Sequence, residues 1–208
     1  MAQVTEIDHP VVKHYLSILR NKKTETAAFR RAMGSIGTIL AYQALSDLPL
    51  KTQEVETPIQ TTMGHKAGPE VFVIPILRAG LSLVDGIINF MPDAKVGHIG
   101  VYRDEKTHEP VNYYHNFPGG LNNAYTLVVD PMLATGGSGS HALNFLKENG
   151  ADNIRFVSLI CAPEGVERLQ KDHPDVPIIT AAIDEKLNKD AFIVPGLGDA
   201  GDRYFGTL

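Results

Sequence analysis

Apolar residues recur at helical spacing near the start of the chain and then gather into short runs. Between Pro10 and Arg20, Val11, Tyr15, Ile18 and Leu19 share one side; between Thr24 and Leu45, Phe29, Met33, Ile36, Leu40 and Ala44 form a second stripe. Steps of three and four residues predict two amphipathic helices whose stripes face a core or a second subunit. After residue 70 the period changes. EVFVIPIL (Glu70–Leu77), Lys95–Tyr102, Tyr125–Val129, Ile154–Ile160 and Pro177–Ala182 are strand-length apolar runs. Helix-length segments follow them at Gly80–Phe90, Gly137–Asn149 and Glu164–Lys171, with Gly150 suited to end the second. Strands alternating with helices predict an α/β fold, a central parallel sheet flanked by helices. Between Arg103 and Leu121 the pattern stops, in a polar, aromatic and Pro/Gly-bearing stretch of the kind that forms lids and mobile arms.

Composition narrows the class. The chain has 208 residues, 43% hydrophobic and 21% charged, enough for one domain with a sizeable core. A net charge of -5 argues against broad nucleic-acid or anionic-membrane binding. Cys161 is the single cysteine, so no internal disulfide forms, and its apolar setting reads as a core thiol. With no signal-like N-terminus and no apolar run of membrane-spanning length, a cytoplasmic protein is expected. The histidines show no metal-binding spacing, so a zinc site built by the protein is not expected.

The segment VVDPMLATGGS (Val128–Ser138) carries the chemistry. A strand ends in the carboxylate of Asp130. Pro131, Met132, Leu133 and Ala134 lead to Thr135, Gly136, Gly137 and Ser138, and a helix begins. Glycines let backbone N–H groups approach an anion, the helix start adds a positive dipole end, and two hydroxyls add donors. A Walker loop is excluded because Ser-Gly-Ser-His, not Lys, follows the glycines. Gly137, Gly139 and Ala142 match a dinucleotide fingerprint, but the acidic residue precedes the glycines instead of following them by about 20 positions. Gly196, Gly198 and Gly201 spell the same fingerprint with too little chain after them for the unit it serves.

This loop resembles the ribose-phosphate loop of the type I phosphoribosyltransferases. Pro131 replaces the second of two adjacent acids in the general pattern, a form found in the uracil branch of that family. PILRAG (Pro75–Gly80) resembles the family's diphosphate loop, VYRDE (Val101–Glu105) the start of its mobile arm, and IVPGLGDAGDRYFGT (Ile193–Thr207) its base-binding hood. The resemblance implies one type I phosphoribosyltransferase domain over 1–208, with N-terminal helices at about 10–47, an arm at about 103–121 and a hood at about 183–208. It implies transfer of phosphoribose from 5-phosphoribosyl 1-diphosphate to uracil, giving UMP and diphosphate. Arg78, Arg103 and residues 130–138 would hold the donor, with a cis peptide at Leu77–Arg78. Ile193, Gly198 and Ala200 would hold uracil, and Asp199 would lie near both substrates. Mg2+ would ride on the diphosphate; GTP activation and a dimer or tetramer occur among relatives. Rival readings are an RNA- or DNA-binding regulator on the same fold, a transferase for hypoxanthine or orotate, and a non-catalytic binder. Between Ile193 and Gly201 there is no cation for orotate's carboxylate, and the acidic balance disfavours the regulator.

Overall fold

A computed structural model describes residues 3–103 and 110–207, without the side chains of Arg103 and Pro110. Strand β1 (Val4–Glu6) opens the chain, followed by α1 (Pro10–Arg20) and α2 (Thr26–Ala44). His9 caps α1 by accepting from Val11 N at 3.1 Å, and Pro10 occupies the first turn, where a missing N–H costs nothing. A hairpin follows, β2 (Leu50–Glu56) and β3 (Thr61–Ala67). Then come β4 (Val71–Leu77), α3 (Leu81–Phe90), the short β5 (Lys95–Val96), β6 (His98–Arg103) and β7 (Pro110–Asn116). Next are β8 (Tyr125–Val129), β9 (Met132–Leu133), α4 (Gly137–Glu148), β10 (Ile154–Cys161), α5 (Pro163–Asp172) and β11 (Ile178–Ile183). The strand pair β12 (Lys186–Leu187) and β13 (Ile193–Val194) and helix α6 (Ala200–Phe205) complete the chain.

The main sheet runs β1-β11-β10-β8-β4-β6-β7. Its pairings are parallel except at the edge, where β7 lies antiparallel to β6. Helices cover both faces, so consecutive strand residues are all buried, which is why these strands read as unbroken apolar runs. In β8, Tyr125, Leu127 and Val129 face the core containing Phe29, Met33 and Leu40 of α2, while Val128 faces the core containing Leu143 of α4 and Leu169 of α5. The α2 stripe therefore points inward; in α1 the buried residues are Val12, Leu16 and Leu19, while Val11 of the expected stripe is 43% exposed, so the buried face is turned from the one the spacing predicts. Cys161 is fully buried, and loss of solvation pushes its thiol up to about 12.

The structure departs from the sequence pattern at three further points. The segment expected to lack regular structure contains β7, whose polar and aromatic residues hide a strand paired along one edge. The run Lys95–Tyr102 is broken at Gly97 into β5 and β6. The polar hairpin β2–β3 gave no apolar signal because nearly all its residues are exposed.

Candidate active site

Strands β4 and β8 are neighbours, with Pro75 opposite Val129, so the segments leaving their carboxyl ends emerge side by side. In open α/β sheets this edge is where ligands bind. The turn after β4 contains a cis peptide at Leu77–Arg78, as the PILRAG resemblance implies. Gly80 closes that turn. A Cβ there would lie 2.5 Å from the Val129 carbonyl oxygen and 2.6 Å from Ile76 N, so only glycine lets the turn sit against the β8 tip.

Asp130 stands one residue beyond β8, half-buried. Its amide donates to Val157 O at 3.1 Å, continuing the ladder past the strand. Burial pushes its carboxyl from 3.8 up to about 7, against the pull of a hydrogen bond from Met132 N. Met132 and Leu133 then pair with Ile160 and Cys161 as β9, which fixes the path toward the helix. Pro131, Leu133 and Gly136 are buried; Met132, Ala134, Thr135 and Gly137 are half-buried; Ser138 is exposed. Gly136 has φ +76°, a conformation disfavoured for residues with a Cβ. The first i→i−4 bond of α4 runs from Ser140 N to Gly136 O at 2.8 Å, so the amides of Gly137, Ser138 and Gly139 precede it. Gly137 N lies only within a weak 3.4 Å of Thr135 Oγ1. The first turn thus offers oriented N–H groups, a hydroxyl and a dipole end, a ready cradle for phosphate.

The C-terminal segment folds over this edge. Gly201 brings α6 against the β4 turn: a Cβ there would lie 3.6 Å from Ala79 Cβ. Asp199 caps α6, its Oδ1 accepting from Asp202 N at 2.9 Å. Ile193 and Ala200 are buried, while Gly198, at φ +81°, is exposed. Arg78 donates to Asp202 Oδ1 at 3.1 Å and lies 5.5 Å from the Phe205 ring. That ion pair is solvent-exposed, worth ~0–1 kcal/mol, and exchangeable for a ligand's phosphate. Arg78, the 130–138 loop and Asp199 therefore belong to one edge. The side chain of Arg103 lies outside the described residues; its backbone ends β6, the strand beside β4.

Sequence reasoning missed the residues that fasten this segment. Arg20 of α1 donates to both oxygens of buried Asp184, at 2.8 and 2.5 Å, and to Gly196 O at 2.9 Å. Asp184 Oδ2 also accepts from Gly196 N at 2.9 Å. Arg203 donates to the carbonyls of Leu19, of Leu197 at 2.7 Å and of Asn21 at 2.7 Å, and stacks 4.5 Å from the Phe29 ring. Arg30 donates to Tyr204 O at 2.7 Å. Apart from Leu197, the partners of these arginines lie far away in the chain, so spacing gives no signal for them. Among the described residues no three His, Cys, Asp or Glu side chains cluster as metal ligands. No described helix is long and apolar enough to cross a membrane.

Comparison with known proteins agrees with this geometry. The family model described as uracil phosphoribosyltransferase matches residues 6–207. A protein of that name from Acholeplasma laidlawii is 53% identical over 207 residues, covering 100% of both chains. One from Salinibacter ruber is 50% identical, covering 100% of this chain and 99% of its own. A solved protein from Aquifex aeolicus superposes with TM-score 0.92 at 37% identity, covering 98% of each chain. The adenine phosphoribosyltransferase of Trypanosoma brucei shares the fold, with TM-score 0.61 at 13% identity over 96% of this chain and 89% of its own.

Proposed function

The chain belongs to the uracil phosphoribosyltransferase family, and from that premise we propose how its residues divide the work of the reaction. The reaction joins uracil to 5-phosphoribosyl 1-diphosphate and yields UMP and diphosphate. Thr135, Gly136, Gly137 and Ser138 hold the 5′-phosphate through the first turn of α4. Asp130, ionised, accepts hydrogen bonds from the ribose hydroxyls, while Pro131, Met132, Leu133 and Ala134 set the loop's path between them. Arg78 leaves Asp202 to bind the departing diphosphate with its forked donors, and Arg103 joins it from the end of β6. Ile193, Gly198 and Ala200 present main-chain groups to the uracil edge. Asp199 stabilises positive charge on the ribose or takes the N1 proton. The hood over this edge excludes water that would otherwise hydrolyse the sugar.

The observation that carries this reading is the convergence, at the carboxyl ends of β4 and β8, of the Arg78 turn, the Asp130 loop and the helix capped by Asp199.

Phosphoribosyltransferases generally use Mg2+ with this donor. With no carboxylate cluster among the described residues, the site suits an ion that rides on the diphosphate and keeps most of its ligands from substrate and water. When bound, Mg2+ neutralises charge on the leaving diphosphate.

The proposal extends to a cytoplasmic location, to assembly as a dimer or tetramer and to activation by GTP, each inferred from the family resemblance. Turnover with and without GTP tests the last. The central test incubates the protein with Mg2+, the diphosphate donor and uracil, hypoxanthine or orotate in turn. UMP from uracil is expected; nucleotide from another base and none from uracil refutes the base assignment.

A further inference from the structure

We propose that Arg168, on α5, is a phosphate-binding residue, gripping the 5′-phosphate of donor and product from outside the 130–138 loop. This inference rests on the reading of that loop as the 5′-phosphate cradle. The Arg168 stem lies over Gly136, where an added Cβ would come within 3.1 Å of Arg168 Cβ and 3.2 Å of its Cδ. A Cβ added at Gly137 would lie 3.5 Å from Arg168 Nη1 and 3.6 Å from Thr135 Oγ1. A guanidinium and a hydroxyl thus flank one point at the start of α4, close enough for one phosphate to accept from both at ordinary hydrogen-bond lengths of ~2.9 Å.

The electrostatics also call for an anion. A helix start carries a partial positive charge, so a cation is the disfavoured neighbour there. The first turn of α4 holds no acidic residue to offset it. The ion pair Arg168 makes is a single 3.5 Å approach of Nε to Asp172, whose same oxygen already accepts from Ser140 Oγ at 2.8 Å. This contact orients the side chain from its Nε side and does not use Nη1. Two positive groups are therefore held together where a phosphate completes them.

The test uses Arg168→Met, which keeps the stem and removes the charge, and Arg168→Lys. In Arg168→Met the donor KM and the inhibition constant of UMP should each rise about tenfold, on the scale of one charge-assisted hydrogen bond. Inhibition by inorganic diphosphate should stay within about twofold of wild type, since diphosphate occupies the leaving-group side. Lysine should restore part of the loss. Unchanged donor KM and UMP inhibition would overturn the assignment. So would equal weakening of UMP and diphosphate, which marks a merely structural role. The parent reading fails separately, if ribose 5-phosphate does not compete with the donor in the wild-type protein.

Discussion

Asp130 is held where its charge is least welcome, and the proposed ribose site depends on that charge. Its carboxyl is raised in the folded protein from 3.8 to about 7, so the proton is bound more tightly by the native than by the unfolded chain. The stability this contributes is fully present below pH ~4 and is lost as pH rises through about 7. At ~1.4 kcal/mol per pH unit the ceiling is roughly 4 kcal/mol. Asp130→Asn should therefore raise the thermal midpoint of the free protein at pH 8, with a gain that shrinks toward pH 4, while nearly abolishing UMP formation. Equal melting of both proteins at pH 8 would contradict this account. Under the proposed role, in which the ionised form accepts the ribose hydrogens, the donor KM should fall as pH rises through about 7. Asp199 can be probed cleanly because asparagine also caps helices. Asp199→Asn should keep α6 and the thermal midpoint while lowering kcat by at least about tenfold. Unaltered turnover in Asp199→Asn would remove the charge from the mechanism.

At the level of elements, the segment proposed to bind the base is as good as its fastening. Arg203 gives α6 a cationic spoke to three carbonyls, two of them in the Leu19–Asn21 stretch that ends α1. Truncation leaves these acceptors unpaired, at about 1–3 kcal/mol for each one that stays buried. Arg203→Ala should therefore raise the uracil KM several-fold or more and lower the thermal midpoint, with donor affinity retained. Lysine, a point donor, should not rescue it. Loss of donor binding in step with uracil binding would show that the clamp serves the whole domain instead. The clamp also marks how far the sequence could be read. Helices and parallel strands announced themselves because burial on one or two faces imposes a period. The loop at Asp130 did so because glycines and hydroxyls are rare in that order. Strand β7, the hairpin and the arginine spokes had no such signature. Their residues are polar or exposed, and Arg203 meets Asn21 across a separation of 182 positions. Arg168 escaped notice for the same reason, being one charge on an otherwise ordinary amphipathic helix.

Across the described residues of the whole molecule, the longest ladder outside the main sheet is the β2–β3 hairpin. Strands β2 and β3 pair from Leu50–Ala67 to Glu56–Thr61 and form a separate two-stranded sheet. Such a hairpin is marginal in water on its own. This one also exposes Leu50 at 62%, Ile59 at 91% and Met63 at 60%. The stripe of α2 is spent on the core, while Val11 of α1 and Tyr42 of α2 stay exposed. If the chain assembles as proposed above, the hairpin offers one contact surface: apolar side chains on an exposed ladder gain by covering a second copy. The double substitution Ile59→Asp and Met63→Asp should therefore lower the mass in analytical ultracentrifugation at micromolar concentration. The wild-type thermal midpoint should rise with protein concentration, as mass action requires for a folded oligomer, and the variant's should not. A variant that sediments like wild type would place the subunit contact elsewhere. A wild-type chain that is monomeric at every concentration would leave the hairpin to a different partner.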